Sequence, residues 1–224
     1  MHSLSYNTIC RDVSDWFYNL VWCVGSPAFA ISATPVVLHR ERARREGAYI
    51  LAANHLSPYD VPCLIRETPR VLDFVSIREA FENRLVGWFY GKMGVFPLDR
   101  GRVDTAATRT ILARLRRGRV IAMFPEGQIR SEEKSVLTGG PIRRGVLPLA
   151  RIANVPIIPC VIVGTRAYHN FRSWLPLRRT IYGINYGKAL APSSGDENSA
   201  ALEEQLREAY RHLYAELQTV LPKK

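Results

Sequence analysis

Residues 48–60, with the sequence AYILAANHLSPYD, decide the fold expected of this 224-residue chain. The first six residues are an apolar run, which predicts a short buried β-strand. Pro58 cannot donate to a strand ladder and biases the preceding residue towards an extended conformation, so the strand must end before it. His55 and Asp60 therefore lie where a strand turns into a loop or a helix start. In open α/β sheets the ligand crevice lies outside such strand ends.

Similar apolar runs recur after residue 47, and helical patterns alternate with them. This alternation predicts an α/β fold, in which a mixed, largely parallel sheet is covered by helices. We expect strands at residues 48–53, 71–77, 94–98, 120–124, 157–163 and 180–186. We expect helices at residues 78–92, 105–117, 141–152 and 197–220. No repeat or low-complexity segment interrupts the chain, so residues 47–224 are predicted to form one domain.

The N-terminal part of the chain differs from the rest, because residues 16–38 contain no charged side chain. This length is close to what crosses a bilayer, but Pro27 should kink or break a helix. We expect residues 1–46 to be an apolar helical membrane anchor, built as a broken, embedded or interfacial helix pair. A core hairpin of a soluble fold and a full span are the alternatives. The arginine-rich residues 39–45 favour a cell-membrane location with the following domain on the cytoplasmic side.

The composition limits the partners and the kind of site. A net charge of +11 indicates an anionic partner: membrane phospholipid, a phosphorylated substrate, an acidic carrier protein or nucleic acid. The four cysteines are scattered and form no CxxC pair, so we expect neither a metal site nor a disulfide framework. Free thiols in a reducing compartment are the favoured interpretation.

Polar residues suited to a binding site occur in three more stretches. GVFPLDR, residues 94–100, ends in Arg100, whose guanidinium suits two-pronged phosphate recognition; a solvated arginine paired with a nearby aspartate is the alternative. FPEGQIRS, residues 124–131, combines an acidic residue, a glycine that lets a ligand approach the backbone closely, and a basic residue. VPIIP, residues 155–159, is by itself typical of a buried strand. His55 beside a carboxylate can be held in one tautomer and act as a base, although a lone histidine is more often structural.

In this order, the four stretches resemble the sequence blocks of the glycerolipid acyltransferases, the family of 1-acylglycerol-3-phosphate acyltransferases. NHLSPYD resembles the His-x4-Asp motif, GVFPLDR the second block, FPEGQIRS the Glu-Gly-Thr-Arg block and VPIIP the fourth. Together they span residues 54–159, about half of the chain. The chain departs from the family pattern at Arg130, which lies four positions after Glu126 instead of three. A basic pair before a glycine, common downstream in the family, is matched at residues 143–145.

The resemblance implies a membrane enzyme of phospholipid biosynthesis. It would transfer a fatty acyl group from acyl-CoA or acyl-carrier protein to the sn-2 hydroxyl of lysophosphatidic acid, forming phosphatidic acid. His55 would be the general base and Asp60 the residue that orients it, in an acyltransferase catalytic domain over residues 47–224. The implied substrate-binding residues are Arg100, Glu126, Gly127, Arg130 and Arg143. No GxSxG elbow is present, so we do not expect a covalent acyl-enzyme, and this chemistry requires neither a metal nor a cofactor.

Other interpretations stay open at this point. The acceptor could be another lysophospholipid or a lyso-aminolipid instead of lysophosphatidic acid. A basic nucleic-acid-binding module is a different class, but the charge-free N-terminal stretch and the lack of a nucleic-acid motif argue against it. A non-catalytic membrane adaptor is opposed by the intact His55 and Asp60. We therefore expect membrane phospholipid, a lysophospholipid acceptor and an acyl thioester as partners, and no nucleic acid.

Overall fold

A computed structural model describes residues 13–98, 104–143, 145–175, 179–192 and 198–222, which build one seven-stranded sheet between two layers of helices. The strands are β1 (Ala33–Leu38), β2 (Tyr49–Ala53), β3 (Leu72–Ile77), β4 (Phe96–Leu98), β5 (Val120–Met123), β6 (Ile157–Val163) and β7 (Thr180–Tyr186). The α-helices are α1 (Val13–Ser32), α2 (Asp60–Glu67), α3 (Arg84–Lys92), α4 (Thr105–Arg116), α5 (Val146–Ala153) and α6 (Asn198–Val220). Short 3-10 helices lie between these elements.

The strand order across the sheet is β1-β7-β6-β2-β5-β3-β4. Neighbouring strands run parallel except β6 and β7, which are antiparallel. The predicted α/β fold with a mixed, largely parallel sheet is thus confirmed. Because β2 is parallel to both β5 and β6, the carboxyl ends of these three strands lie at the same edge of the sheet. The loops that follow them must therefore meet.

The apolar runs become the central strands because both faces of the sheet are covered. Every residue of β2 and of β6 is buried. On one face the core includes Ile111, Val146 and Leu206 from α4, α5 and α6. On the other face it includes Phe29 of α1 and Leu64 of α2. Strands packed on both faces tolerate little movement, which gives the loops at their carboxyl ends a rigid base.

The N-terminal segment differs from its expected structure. α1 continues through Pro27, which removes only one intrahelical hydrogen bond; the helix break expected there is not found. Phe29, one turn before the end of α1, packs edge-on against Tyr168 and Trp174 and holds the final turn in place. Residues 33–38, assigned to the anchor from sequence, form β1 and pair with β7 in the sheet. Among the residues that the structure describes, no helix combines the length and apolarity that crossing a membrane demands.

Buried ion pairs also tie α1 to the sheet. Asp15 of α1 lies 3.0 Å from a guanidinium nitrogen of Arg119, the residue before β5. The same guanidinium donates to both carboxylate oxygens of Asp73 in β3, at 2.5 and 2.6 Å. Breaking one partner of such a buried pair leaves an uncompensated charge, which is strongly destabilising. α1 is therefore an integral part of the domain and not a separate tail.

The region expected as one helix over residues 78–92 is divided in two. A 3-10 helix at Arg78–Phe81 is followed by α3, which begins after Asn83. The Asn83 side-chain oxygen accepts hydrogen bonds from the amides of Leu85 and Val86, at 3.0 and 3.2 Å. Asparagine in an extended conformation at this position is a strong helix start signal, so a new helix begins there.

Candidate functional site

His55 and Asp60 form a hydrogen-bonded pair at the carboxyl end of β2. The His55 Nδ1 and Asp60 Oδ2 atoms are 3.0 Å apart. The loop folds back because the Asp60 amide donates to the Ser57 carbonyl oxygen (3.1 Å), where α2 begins. The Asp60 side chain is fully buried, whereas 14% of the His55 side chain remains exposed. A proton on Nδ1, facing the carboxylate, leaves the Nε2 lone pair available as a base.

The Asp60 carboxylate is held by donors on both oxygens. Oδ2 accepts hydrogen bonds from the amides of Leu56 (2.8 Å) and Ser57 (2.9 Å) as well as facing His55. Oδ1 accepts a hydrogen bond from the hydroxyl of Thr165. Charge-assisted hydrogen bonds of this kind are about twice as strong as neutral ones. The carboxylate therefore has one orientation, and so does the imidazole that it contacts.

Thr165 is a site residue that the sequence analysis did not identify. It is fully buried and follows β6, at the same sheet edge as His55. The preceding Gly164 has a φ of +86°, and a Cβ atom there would lie 2.6 Å from the carbonyl oxygen of Ile181. Only glycine fits this turn without strain, and the turn directs Thr165 to Asp60. A glycine followed by a hydroxyl residue, just beyond the predicted strand end at residue 163, was the signal that could have pointed to it.

The backbone before His55 and the ring itself are also fixed. The buried Asn54 side chain accepts from the amide of Ile162 (2.7 Å) and donates to its carbonyl oxygen (2.9 Å). This extends the pairing of β2 with β6 by one residue beyond Ala53. The His55 ring stacks on Phe124, with centroids 3.9 Å apart and planes inclined by 13°. The imidazole is thus held in position before any ligand binds.

Glu126 was expected among the substrate-binding residues, but its carboxylate faces the protein. Oε2 accepts from the His55 amide at 3.3 Å, and Oε1 accepts from the Ser135 hydroxyl (2.5 Å) and the Val136 amide (3.0 Å). Burial raises the pKa of the Glu126 carboxyl, and the hydrogen bonds from Ser135 and Val136 offset part of that rise. In this arrangement Glu126 joins the loop after β5 to the loop that carries His55.

Gly127, Arg130 and Arg143 lie around the same loops. Gly127 has a φ of +69° and lines the same cavity as His55. The Arg143 side chain passes over it, since a Cβ atom on Gly127 would come within 2.5 Å of the Arg143 Cδ atom. The Arg130 amide donates to the His55 carbonyl oxygen at 2.8 Å. The structure therefore brings six of the seven predicted site residues to one edge of the sheet. Arg100 lies outside the described residues.

A cavity of about 460 Å³ opens beside His55. It lies between α1, α2 and α3 and the carboxyl ends of β3 and β5. Its lining is mostly apolar and includes Val21, Val61, Ile65, Phe74, Phe89 and Met93. An apolar cavity with a few polar groups at one place is the usual form of a small-molecule site. Here it would hold a hydrocarbon chain in contact with the His55 ring.

Two of the cysteines are poor candidates for a nucleophile. Cys63 and Cys160 are fully buried, and burial raises the pKa of both thiols, which disfavours the nucleophilic thiolate. No three His, Cys, Asp or Glu side chains among the described residues are grouped so that they could hold a metal ion. The arrangement is that of an oriented base beside an apolar cavity.

Comparison with known proteins agrees with this chemistry. Residues 35–163 match the model of a protein family described as Acyltransferase. The chain is 26% identical over 129 residues to 1-acyl-sn-glycerol-3-phosphate acyltransferase of Bacillus subtilis (strain 168), covering 57% of this chain and 62% of that protein. It is 30% identical over 118 residues to the protein of the same name from Streptococcus pneumoniae, covering 52% and 42%. The chain thus spans less than two thirds of the length of these relatives.

The fold also has a counterpart among solved structures. The crystal structure of the 1-acyl-sn-glycerophosphate (LPA) acyltransferase, PlsC, from Thermotoga maritima matches with a TM-score of 0.71 at 22% sequence identity. The match covers 96% of this chain and 86% of that one. At this identity the likeness establishes the shared fold.

Proposed function

Since this chain belongs to the acyltransferase family, whose model matches more than half of it, we propose that it acylates lysophosphatidic acid. A fatty acyl group would pass from acyl-CoA or acyl-carrier protein to the sn-2 hydroxyl, forming phosphatidic acid for phospholipid biosynthesis. One observation carries the proposal: the His55–Asp60 pair stands at an apolar cavity, so a base and a hydrocarbon site occur together. The names of the curated relatives support the choice of acceptor.

The reaction follows from the orientation of His55. Its Nε2 atom takes the proton from the acceptor hydroxyl while the oxygen attacks the thioester carbonyl carbon. The new C–O bond forms, the C–S bond breaks, and the imidazolium returns the proton to the departing thiolate. Asp60 stabilises the imidazolium that exists between these two proton transfers. A positioned base of this kind contributes ~10²–10⁴-fold in rate. The amides of residues 55–57 already donate to carboxylates, so other groups must stabilise the tetrahedral oxyanion.

The cavity beside His55 is assigned to an acyl chain. Each methylene group that leaves water for an apolar site contributes about 0.8 kcal/mol, so a long chain binds there with useful affinity. Contact with the His55 ring places the head of the chain, and hence the thioester carbonyl, near the base. Holding both reactants in this way supplies much of the rate acceleration in a bimolecular transfer.

Of the N-terminal residues 1–46, we assign α1 and the arginine-rich residues 39–45 to membrane attachment, with the catalytic domain, to which β1 belongs, on the cytoplasmic face of the cell membrane. α1 contains one charged residue, Asp15, and that side chain is paired with Arg119. Its outer surface is apolar, and Trp16 is 70% exposed. A helix of this kind, with arginines in the following segment, is suited to lie flat in the head-group region of a leaflet.

The proposed activity is tested by incubating the full-length protein with labelled acceptors and both donor types. The acceptor panel comprises lysophosphatidic acid, glycerol-3-phosphate, lysophosphatidylcholine and a lyso-aminolipid. We expect lysophosphatidic acid to be acylated faster than the other acceptors, giving phosphatidic acid. The His55→Ala protein is the control for background acylation. A faster reaction with another acceptor, or none with any, overturns the proposal.

The acceptor phosphate should be bound chiefly by Arg100, as its place in the second sequence block implies. We expect Arg100→Ala to raise the KM for lysophosphatidic acid roughly ten- to a hundredfold, since losing a charge-assisted hydrogen bond costs ~1.5–3 kcal/mol. Arg130→Ala should have a clearly smaller effect, and Arg100→Lys should restore binding only in part. Steady-state kinetics measure each KM. Arg211→Ala, which removes a surface charge paired with Glu204, is the matched control. A larger effect of Arg130→Ala reverses the ranking.

Thr165 should act by positioning Asp60. Thr165→Val keeps the shape of the side chain but removes the hydroxyl that donates to Asp60 Oδ1. We expect kcat to fall about tenfold or more, in line with the loss of one hydrogen bond to a charged group, while KM stays nearly constant. Thr165→Ser should restore most of the rate because it keeps the donor. A rise in KM without a fall in kcat, or failure of serine to rescue, contradicts this role.

A further inference from the structure

α3 is an apolar helix without a buried face. None of its nine residues is buried, although its sequence is RLVGWFYGK. Leu85 is 79% exposed and Trp88 58% exposed, and Val86 and Phe89 are also exposed. Single apolar residues on a surface are ordinary, but a contiguous group on one short helix marks an interaction site. A nine-residue helix with no fully buried side chain also gains little stability in water.

The exposed face of α3 is continuous with that of α1. Phe17 of α1 lies edge-on to Trp88, with ring centroids 5.6 Å apart, and also edge-on to Phe89, at 5.8 Å. Beside Phe17, the exposed residues of α1 recur at the spacing of one helical face. We call the combined surface the insertion face; its members are Trp16, Leu20 and Val24 of α1 and Leu85, Val86 and Trp88 of α3.

The cavity that holds His55 lies between these same two helices. Val21 of α1 and Phe89 and Tyr90 of α3 are part of its lining. A hydrocarbon chain that enters between α1 and α3 therefore meets apolar side chains from the insertion face to the catalytic ring.

The charges around α3 identify what covers the insertion face. Exposed basic side chains stand at both ends of the helix, Arg84 at the first residue and Lys92 at the last. Tryptophan and basic residues flanking an apolar face match the head-group region of an anionic leaflet. A second copy of the chain would bring together two proteins with a net charge of +11 each, which opposes association.

We propose that α3 is a second membrane-insertion element, which docks with α1 into an anionic leaflet so that the mouth of the cavity opens into the lipid. The acyl chain of a substrate then reaches His55 from the bilayer without passing through water. This inference rests on the proposed action on lipids, but the docking itself is independent of catalysis.

The test compares binding of the full-length protein to vesicles of phosphatidylcholine and phosphatidylglycerol. The variant Leu85→Gln/Trp88→Gln removes the apolar contacts of α3. Its matched control, Ile152→Gln/Ile181→Gln, removes two exposed apolar residues from α5 and β7. We expect the α3 variant to bind vesicles at least about tenfold more weakly and the control to bind as the wild type does, because burial of large apolar side chains in the leaflet drives the binding.

Two further measurements separate docking from catalysis and from self-association. Turnover of a short-chain, water-soluble acyl-CoA with monomeric lysophosphatidic acid should be unchanged in the α3 variant, whereas turnover of bilayer-embedded acceptor should fall with vesicle binding. Arg84→Gln/Lys92→Gln should weaken binding to anionic vesicles and leave binding to pure phosphatidylcholine unchanged. Wild-type vesicle binding by the α3 variant overturns the proposal even if acyl transfer is intact. A wild-type dimer in solution that the α3 variant abolishes also overturns it.

Discussion

Replacing His55 with alanine should lower the rate of acyl transfer by about 10³-fold, within the ~10²–10⁴-fold that a positioned base contributes. Nδ1 is held by Asp60 and the ring lies flat on Phe124, so the structure leaves Nε2 free to face the cavity. Alanine removes the atom to which we assign the acceptor proton. The measurement is kcat with lysophosphatidic acid and a long-chain acyl-CoA at saturating concentrations.

The fold should survive this change, because Asp60 Oδ2 keeps its two amide donors when the hydrogen bond and the ring contact of His55 are lost. The backbone bonds of His55 to Glu126 and Arg130 do not depend on its side chain. Thermal unfolding should therefore show only a small loss of stability. His212→Ala, which removes an exposed histidine from α6, serves as the control for general effects of the substitution. Near-normal turnover by the His55 variant would exclude it as the base.

Asp60→Asn should reduce kcat by roughly 10²- to 10⁴-fold with little effect on KM, because a counter-charge for the imidazolium matters in the transition state. The amide can keep the geometry: its oxygen takes the place of Oδ2, facing His55 and the amides of Leu56 and Ser57. Its NH₂ group then faces Thr165, whose hydroxyl can turn and accept. The fold is retained and only the charge is lost.

Asp60→Ala provides the comparison that separates charge from structure. It leaves two buried amides and a buried hydroxyl without a partner, each costing about 1–3 kcal/mol. We expect Asp60→Asn to melt near the wild-type temperature and Asp60→Ala well below it, while both lose activity. A raised KM with unchanged kcat in Asp60→Asn would show that Asp60 acts in binding instead.

The sequence predicted the central strands closely and missed the edge strand β1. β6 and β7 have the predicted bounds, because β6 is a continuous apolar run and β7 is a seven-residue segment rich in isoleucine and tyrosine, patterns that do not depend on distant residues. β1 is formed by residues 33–38, which belong to a longer uncharged stretch with no strand boundary of its own. Its strand conformation is set by pairing with β7, a contact that local patterns do not contain.

The candidate site shows the same division between local and distant contacts. His55 and Asp60 are five residues apart, so the motif alone indicates that they can meet. Thr165 contacts Asp60 from 105 residues away, and only the order of strands in the sheet brings them together. Glu126 is a conspicuous acid in the sequence, but its burial against Ser135 and Val136 depends on how the loop after β5 folds. Sequence patterns identify the chemical groups, whereas the topology decides which of them face one another.

The pairing of β1 with β7 also determines the order of folding steps during synthesis of the chain. Ala33 of β1 pairs with Thr180 of β7, which is β1's only neighbour in the described sheet. About 150 more residues must therefore be synthesised after β1 before it can pair. Synthesis proceeds at roughly 5–20 residues per second, so this delay lasts on the order of ten seconds or more. During that time α1 is already outside the ribosome, while β1, which directly follows it, is still unpaired. An apolar helix in this position can settle on a membrane surface first, and the rest of the protein then folds against a segment that is already in place.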